Sequence, residues 1–130
     1  MQVRNLMKSP VVSVGPDESL RGAARVMRDH GIGSVVVEQG DRVVGILTER
    51  DVMHAAADLG DVEPARVGDH MSAPVVTASP SWDVTVAATE MSDRRIRHLV
   101  VTEGDRPIGV LSVRDVMSVF LPERVHQQEA

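Results

Sequence analysis

The chain has no cysteine and very few aromatic residues. Its 130 residues include no tyrosine, one tryptophan and one phenylalanine. Without cysteine it can form neither disulfides nor thiolate metal sites, and it has no cysteine nucleophile. Trp82 and Phe120 are too few to stack the bases of a single-stranded nucleic acid. A bound base would therefore have to lie between aliphatic side chains.

Basic side chains are fewer than acidic ones. The 14 basic and 19 acidic side chains give a net charge of -5, which is the wrong sign for binding a phosphate backbone. The apolar runs are much shorter than a membrane-spanning helix, and the N-terminus lacks the apolar stretch of a secretory signal. The lack of cysteine fits a reducing compartment. We expect a cytoplasmic protein that binds neither nucleic acid nor membrane.

An internal repeat with an offset of 64 residues covers most of the chain. Among the segments that align without a gap are residues 10–12 with 74–76, 40–42 with 104–106, and 50–53 with 114–117. Chance does not preserve one register over such a length, so the repeat defines the fold.

Each copy predicts the order strand, helix, strand, strand, helix. A β-branched run closed by proline, PVVSVGP or PVVTASP, favours a strand. In the first copy Asp17 or Ser19 can cap the following helix and Gly31 can end it. Two apolar runs around a Gly-Asp turn then predict a hairpin, and a second helix opens at Thr48 or Ser112. The apolar helix faces are Leu20, Ala23, Ala24 and Met27, and Val84, Ala87, Ala88 and Met91.

We place the two repeats at residues 7–63 and 71–127, with a polar linker at 59–66 and a frayed tail from Pro122. A unit of this size buries little surface alone. We therefore predict an α/β (α+β) fold in which two βαββα repeats pack as a pseudo-twofold pair. Ligand sites favour the clefts at such a junction.

The segments GILTERD (45–51) and GVLSVRD (109–115) each run from a strand into a helix. Thr48 with Asp51, and Ser112 with Asp115, have the spacing of a helix capping box, which needs no ligand. The same geometry suits a nucleotide, because a helix N-terminus attracts phosphate and a carboxylate can bind ribose hydroxyls. The spacing leaves both interpretations open. In the nucleotide interpretation, the two aspartates bind the sugar. The Thr48 and Ser112 hydroxyls and nearby arginines bind the phosphate.

Two βαββα copies that each end in Gly-apolar-apolar-Thr/Ser-x-x-Asp resemble a tandem pair of cystathionine β-synthase (CBS) domains. The segments MxxPVV and IRHLVV add to the resemblance, which covers nearly the whole chain. It implies a disc-like module, commonly a homodimer, whose clefts bind adenosine-containing ligands such as AMP, ADP, ATP, NAD or S-adenosylmethionine. It also implies that Thr48, Asp51, Ser112 and Asp115 contact the ligand.

The two copies differ just before their second strands. The second has Arg97 and His98, where nucleotide-binding relatives often place basic groups that reach phosphate, and the first has Gly33 and Ser34. We expect Arg97 and His98 to contact the ligand and the two clefts to differ in affinity. The alternative is that the arginines form only a solvated basic edge.

We therefore predict a non-enzymatic sensor of an adenine nucleotide, read by an unknown effector protein or by dimerisation. The alternatives are a ligand-independent interaction or dimerisation module and, more remotely, a small enzyme. No serine elbow or phosphate loop indicates catalysis, so we assign no catalytic residue and no required cofactor. The five scattered histidines predict no metal site. The repeated methionines are expected in the core: Met27, Met53, Met91 and Met117.

Overall fold

A computed structural model describes residues 1–120 of the chain. The strands are β1 (Ser13–Val14), β2 (Ser34–Gln39), β3 (Arg42–Thr48), β4 (Thr77–Ala78), β5 (His98–Glu103) and β6 (Arg106–Ser112). The helices are α1 (Leu20–His30), α2 (Glu49–Asp58), α3 (Val67–His70), α4 (Val84–Arg94) and α5 (Val113–Phe120). A 3₁₀ turn covers Val3–Asn5. The predicted mixed α/β architecture of two βαββα repeats is confirmed.

Two short elements were not predicted. The 3₁₀ turn and α3 start 64 residues apart, so they are equivalent parts of the repeat. The predicted tail from Pro122, and the end of the second repeat at residue 127, lie outside the described residues. The repeat boundaries stay a prediction.

Local sequence signals explain the first helix. Ser19 is the N-cap of α1, and its hydroxyl accepts a hydrogen bond of 3.0 Å from the Gly22 amide. Gly31 ends the helix with a φ of 65°, a left-handed conformation that glycine adopts without steric cost. Both features agree with the sequence prediction, and of its two candidate caps, Asp17 and Ser19, the structure has Ser19.

The two sheets have the same topology. In the first, β1 pairs in parallel with β2, and β2 pairs with β3 in an antiparallel hairpin. The second sheet repeats this order with β4, β5 and β6. Gly40 and Gly104, with φ of 63° and 62°, occupy the equivalent hairpin turns. Both predicted hairpins are therefore present.

The central strands are buried on both faces. Val35 and Val37 of β2 point into the core of the first repeat, whereas Val36 joins a third cluster with Val100 of β5. This third cluster packs the two repeats together. Because both faces of β2 and β5 are shielded from water, these strands are continuous apolar runs rather than alternating ones.

Each repeat packs against the segment that precedes the other repeat in the chain. Residues 1–8, the first leading segment, pack on the second repeat, and residues 65–72, the second leading segment, pack on the first. Lys8 and Val110 exchange two backbone hydrogen bonds of 2.9 and 3.0 Å. Ser72 and Ile46 make the equivalent exchange at 2.8 and 3.0 Å. This reciprocity is what a pseudo-twofold relation between the repeats requires.

The expectation that all four repeated methionines lie in the core is wrong for two of them. Met27 and Met91 are buried, but Met53 and Met117 are 58% and 51% exposed. Their helices turn other, smaller side chains inward, Ala55 on α2 and Val116 on α5. The repeat alone could not distinguish a shared buried face from a shared exposed one.

Replacing Val3 should reveal how much the first leading segment stabilises the fold. Val3 is fully buried in the core of the second repeat, and Val67 is its equivalent in the first. We expect Val3→Ala and Val67→Ala each to lower the free energy of unfolding by about 2 kcal/mol, because each leaves a small cavity. Urea unfolding measures this loss. Half-exposed Val86 is the control, and its Ala variant should stay within about 0.5 kcal/mol of wild type. An equally small effect at Val3 would contradict the packing described here.

Candidate functional site

A cleft with a volume of about 620 Å³ lies between the two repeats. Four of the six predicted site residues line it: Arg97, His98, Ser112 and Asp115. The first repeat contributes a wall that includes Gly33, Ser34 and Glu49, and the first leading segment contributes Lys8. The remaining surface is largely aliphatic, with Val11, Val12, Ile32 and Val110. The cleft is thus polar at the start of α5 and apolar along its walls, as small-molecule sites commonly are.

The start of α5 carries a complete capping box. The Ser112 hydroxyl accepts a hydrogen bond of 3.1 Å from the Asp115 amide, and the Ser112 amide donates one of 2.9 Å to Asp115 Oδ2. This arrangement fixes the carboxylate at a helix N-terminus. The predicted cap is therefore present, and it holds Asp115 against the cleft.

Lys8 supplies a positive charge beside that carboxylate. Its Nζ lies 3.4 Å from Asp115 Oδ1, the oxygen that does not take part in the capping box. The Asp115 side chain is only 11% exposed, whereas Lys8 is 56% exposed. Because Lys8 is more than half exposed, its ion pair with Asp115 is weak, and a ligand can displace it from Asp115 at little cost.

Thr48 and Asp51 form the equivalent capping box on α2 but are not among the residues that line the cleft. Both Asp51 oxygens lie 3.2 Å from the hydroxyl of Ser72, which occupies the position of Lys8 in the other repeat. The structure thus brings four predicted residues together and places these two elsewhere. Their predicted contact with a ligand stays a prediction for the related surface of the first repeat.

His98 begins β5 opposite Ser112 and is partly buried, while Arg97 beside it is exposed. Burial lowers the pKa of His98 from its ordinary value of 6.5, because desolvation disfavours the charged imidazolium. The carboxylates of Glu49, Asp115 and Asp51 oppose this shift, and Arg114 adds to it. His98 is consequently neutral at neutral pH and can donate or accept a hydrogen bond.

Sequence reasoning missed three charged residues of the cleft: Lys8, Glu49 and Arg114. Glu49 Oε1 lies 3.6 Å from an Arg114 guanidinium nitrogen, which links the first turns of α2 and α5. Glu49 and Arg114 stand inside the two TERD and SVRD segments, so their helix positions were available. Nothing in one repeat shows, however, which side chains of the other it will face.

Other kinds of site have no support in residues 1–120. Across this part of the chain, no three His, Asp or Glu side chains converge as a metal site would need. None of the helices described has the length and hydropathy that crossing a membrane requires.

Comparison with known proteins identifies the repeats. The family model of the CBS domain matches residues 3–58 and 67–122. The chain belongs to the CBS domain family. The resemblance seen in the sequence is thereby confirmed for both repeats.

Two of the similar proteins are described as CBS-domain-containing as well. A crystal structure of a CBS-domain-containing protein from Agrobacterium tumefaciens is 33% identical, with a TM-score of 0.85, covering 93% of this chain and 100% of that one. The CBS domain-containing protein YhcV of Bacillus subtilis is 29% identical over 88% of this chain and 81% of its own length. An uncharacterised Methanopyrus kandleri protein is 34% identical over 92% of this chain, which spans 62% of that relative.

One solved structure with the same fold contains ligands. It is a CBS domain pair in complex with 5′-methylthioadenosine and S-adenosyl-L-methionine, 23% identical with a TM-score of 0.84 over 92% of this chain and 95% of that one. At this identity the likeness establishes the fold alone.

His98 should make the protein less stable in weak acid. Because its pKa is lower in the folded protein than its ordinary 6.5, the unfolded chain binds the proton first. Stability is then lost as pH falls from about 6.5 towards the folded pKa. We expect His98→Gln to lose less stability than wild type between pH 7.5 and 5.5, as measured by urea unfolding at both values. The control is His54→Gln, which changes an exposed residue. This variant should lose as much stability as wild type between the two pH values. Equal sensitivity in His98→Gln and wild type would contradict the assignment.

Proposed function

We propose that the protein is a non-enzymatic regulatory module that senses an adenosine-containing ligand, with AMP, ADP or ATP as the leading candidates and NAD or S-adenosylmethionine as alternatives. The observation that carries this proposal is the cleft between the repeats, where a fixed carboxylate, basic side chains and aliphatic walls lie together. The adenosine compounds bound by a domain pair of the same fold support it.

Each part of a nucleotide has a chemically suitable partner in the cleft. The aliphatic walls suit the apolar faces of the purine. The chain has almost no aromatic side chains that could stack on the purine instead. Asp115 suits the ribose, since its Oδ1 accepts hydrogen bonds once Lys8 moves aside. Arg97, Arg114 and the N-terminal end of α5 suit the phosphate.

The signal would arise from the arrangement of the two repeats. A ligand in this cleft touches residues of both repeats and of the first leading segment. It therefore shifts any equilibrium between arrangements by the difference in its affinity for them. An effector protein would read that change.

The decisive variant is Asp115→Asn, with Asp51→Asn as the matched comparison. Each variant alters one of the two equivalent capping boxes, but only Asp115 lines the cleft. We expect Asp115→Asn to weaken nucleotide binding at least tenfold, because the ribose loses a charged acceptor worth about 1.5 kcal/mol or more. Asp51→Asn should weaken binding in the cleft far less. Both should lower the stability by a similar amount, about 0.5 to 2 kcal/mol.

Thermal shift with AMP, ADP, ATP, NAD and S-adenosylmethionine identifies the ligand, and calorimetry then gives the affinity of each variant. A ligand at 100 times its dissociation constant stabilises the fold by about 2.7 kcal/mol. If no compound shifts the melting temperature at millimolar concentration, the sensor proposal fails and the capping boxes are structural only. Equal affinity in Asp115→Asn and wild type would overturn the site assignment.

A homodimer is our second proposal, and the exposed apolar side chains of α2 and α5 favour it. The Glu49–Arg114 contact places the first turns of these helices side by side. Met53 follows Glu49 by four residues and Met117 follows Arg114 by three, so each lies on the helix face that carries the ion pair. Phe120, one turn after Met117, is 64% exposed. Burial of this apolar surface against a second copy would stabilise a dimer.

Light scattering tests the dimer directly. We expect wild type to have the mass of a dimer and Met53→Glu/Phe120→Glu to have the mass of a monomer, because two charges cannot be buried unpaired in an apolar contact. Val86→Glu is the control, since Val86 is half-exposed on α4 rather than on α2 or α5. A monomeric wild type at high concentration, with and without nucleotide, would contradict the proposal.

A further inference from the structure

Glu49 brings a negative charge from the first repeat into the cleft of the second. It is the first residue of α2, and its amide donates a hydrogen bond of 2.9 Å to the Gly33 carbonyl. Its carboxylate lies directly against Gly33, where an added Cβ would be 3.4 Å from the carboxyl group. Both residues line the cleft. The equivalent residue of the other repeat is Val113, so the repeat itself does not require this acid.

The contribution of Glu49 to stability is small. Its ion pair with Arg114 has a separation of 3.6 Å, and the two side chains are 64% and 81% exposed. Exposed pairs of this kind contribute little to folding. The α2 N-terminus already has a complete capping box from Thr48 and Asp51. Glu49 does change the electrostatic potential of the cleft. Among the charges that raise the pKa of His98 against the effect of burial, that of Glu49 is the largest.

The charges of the cleft nearly balance. Lys8 is paired with Asp115, and Arg114 with Glu49. Arg97 also lines the cleft, and within residues 1–120 it makes no ion pair. With His98 neutral, the side chains that line the cleft include three cations and two carboxylates, a surplus of one positive charge. A ligand with few negative charges matches this surplus better than one with many.

We infer that Glu49 is a specificity-determining residue, which limits the negative charge of the ligand and favours a nucleoside monophosphate over a triphosphate. The inference rests on the proposed nucleotide site. Each added phosphate extends the ligand's negative charge within a cleft where Arg114 already has a carboxylate partner. Glu49 repels that charge and competes for the same guanidinium, so its effect grows with the number of phosphates.

The test compares AMP and ATP, without divalent metal and at equal ionic strength, by calorimetry on wild type and Glu49→Gln. Glutamine keeps the length of the side chain and removes the charge. We expect Glu49→Gln to strengthen ATP binding about fivefold and AMP binding less than twofold, and the difference to shrink as salt is added. Glu63→Gln is the control: Glu63 pairs with Arg21 at 2.9 Å, is 62% exposed, and neither residue lines the cleft. It makes the same change in net charge.

The outcomes separate this inference from the proposed function. If wild type binds a nucleotide and the ratio of ATP to AMP affinity is the same in Glu49→Gln, the role of Glu49 is overturned and the site stands. An equal change in Glu63→Gln would attribute the effect to net charge and also overturn it. Binding of S-adenosylmethionine with neither nucleotide would overturn the inference alone. If none of the compounds binds wild type, the proposed function fails as well.

Discussion

The whole arrangement depends on the exchange of backbone hydrogen bonds between each leading segment and the last strand of a repeat. Lys8 pairs with Val110 and Ser72 with Ile46, so the polypeptide before the first repeat is anchored on the second. Such close approach needs a strand residue without a side chain. At Gly109 an added Cβ would lie 2.9 Å from the Lys8 carbonyl oxygen, and at Gly45 it would lie 3.0 Å from that of Ser72. The glycine that opens each repeated GxLxxRD segment is therefore a packing requirement.

The same anchoring creates the asymmetry of the molecule. Because the leading segments run past the starts of α2 and α5, positions 8 and 72 lie beside equivalent aspartates. A lysine at one and a serine at the other give those aspartates different partners: an ammonium at 3.4 Å from Asp115, and a hydroxyl at 3.2 Å from Asp51. One fold thus presents two chemically different carboxylates, although the repeats share their topology and the capping boxes of α2 and α5.

The sequence was most informative where a local signal determines local structure. Ser19, Gly31 and both capping boxes follow from rules that involve only neighbouring residues, and the offset of 64 predicted that the two halves would have one topology. Contacts between repeats could not be predicted in this way. The offset equates Met53 with Met117 but does not say whether both face the core. It equates Glu49 with Val113 and gives no sign that Glu49 faces the other repeat's cleft.

These two kinds of information bear differently on function. The capping boxes explain why Thr48, Asp51, Ser112 and Asp115 occupy their positions, and they would do so in a protein without any ligand. What they do not require is Lys8, Glu49, Arg97 or Arg114, whose side chains take no part in the hydrogen bonds of the caps and whose charges add little to stability at exposed sites. Their convergence on one cleft, with the equivalent positions held by Ser72, Val113 and Gly33 in three of the four cases, is the part of the structure that folding alone leaves unexplained. The charged ligand that we propose for this cleft would account for it.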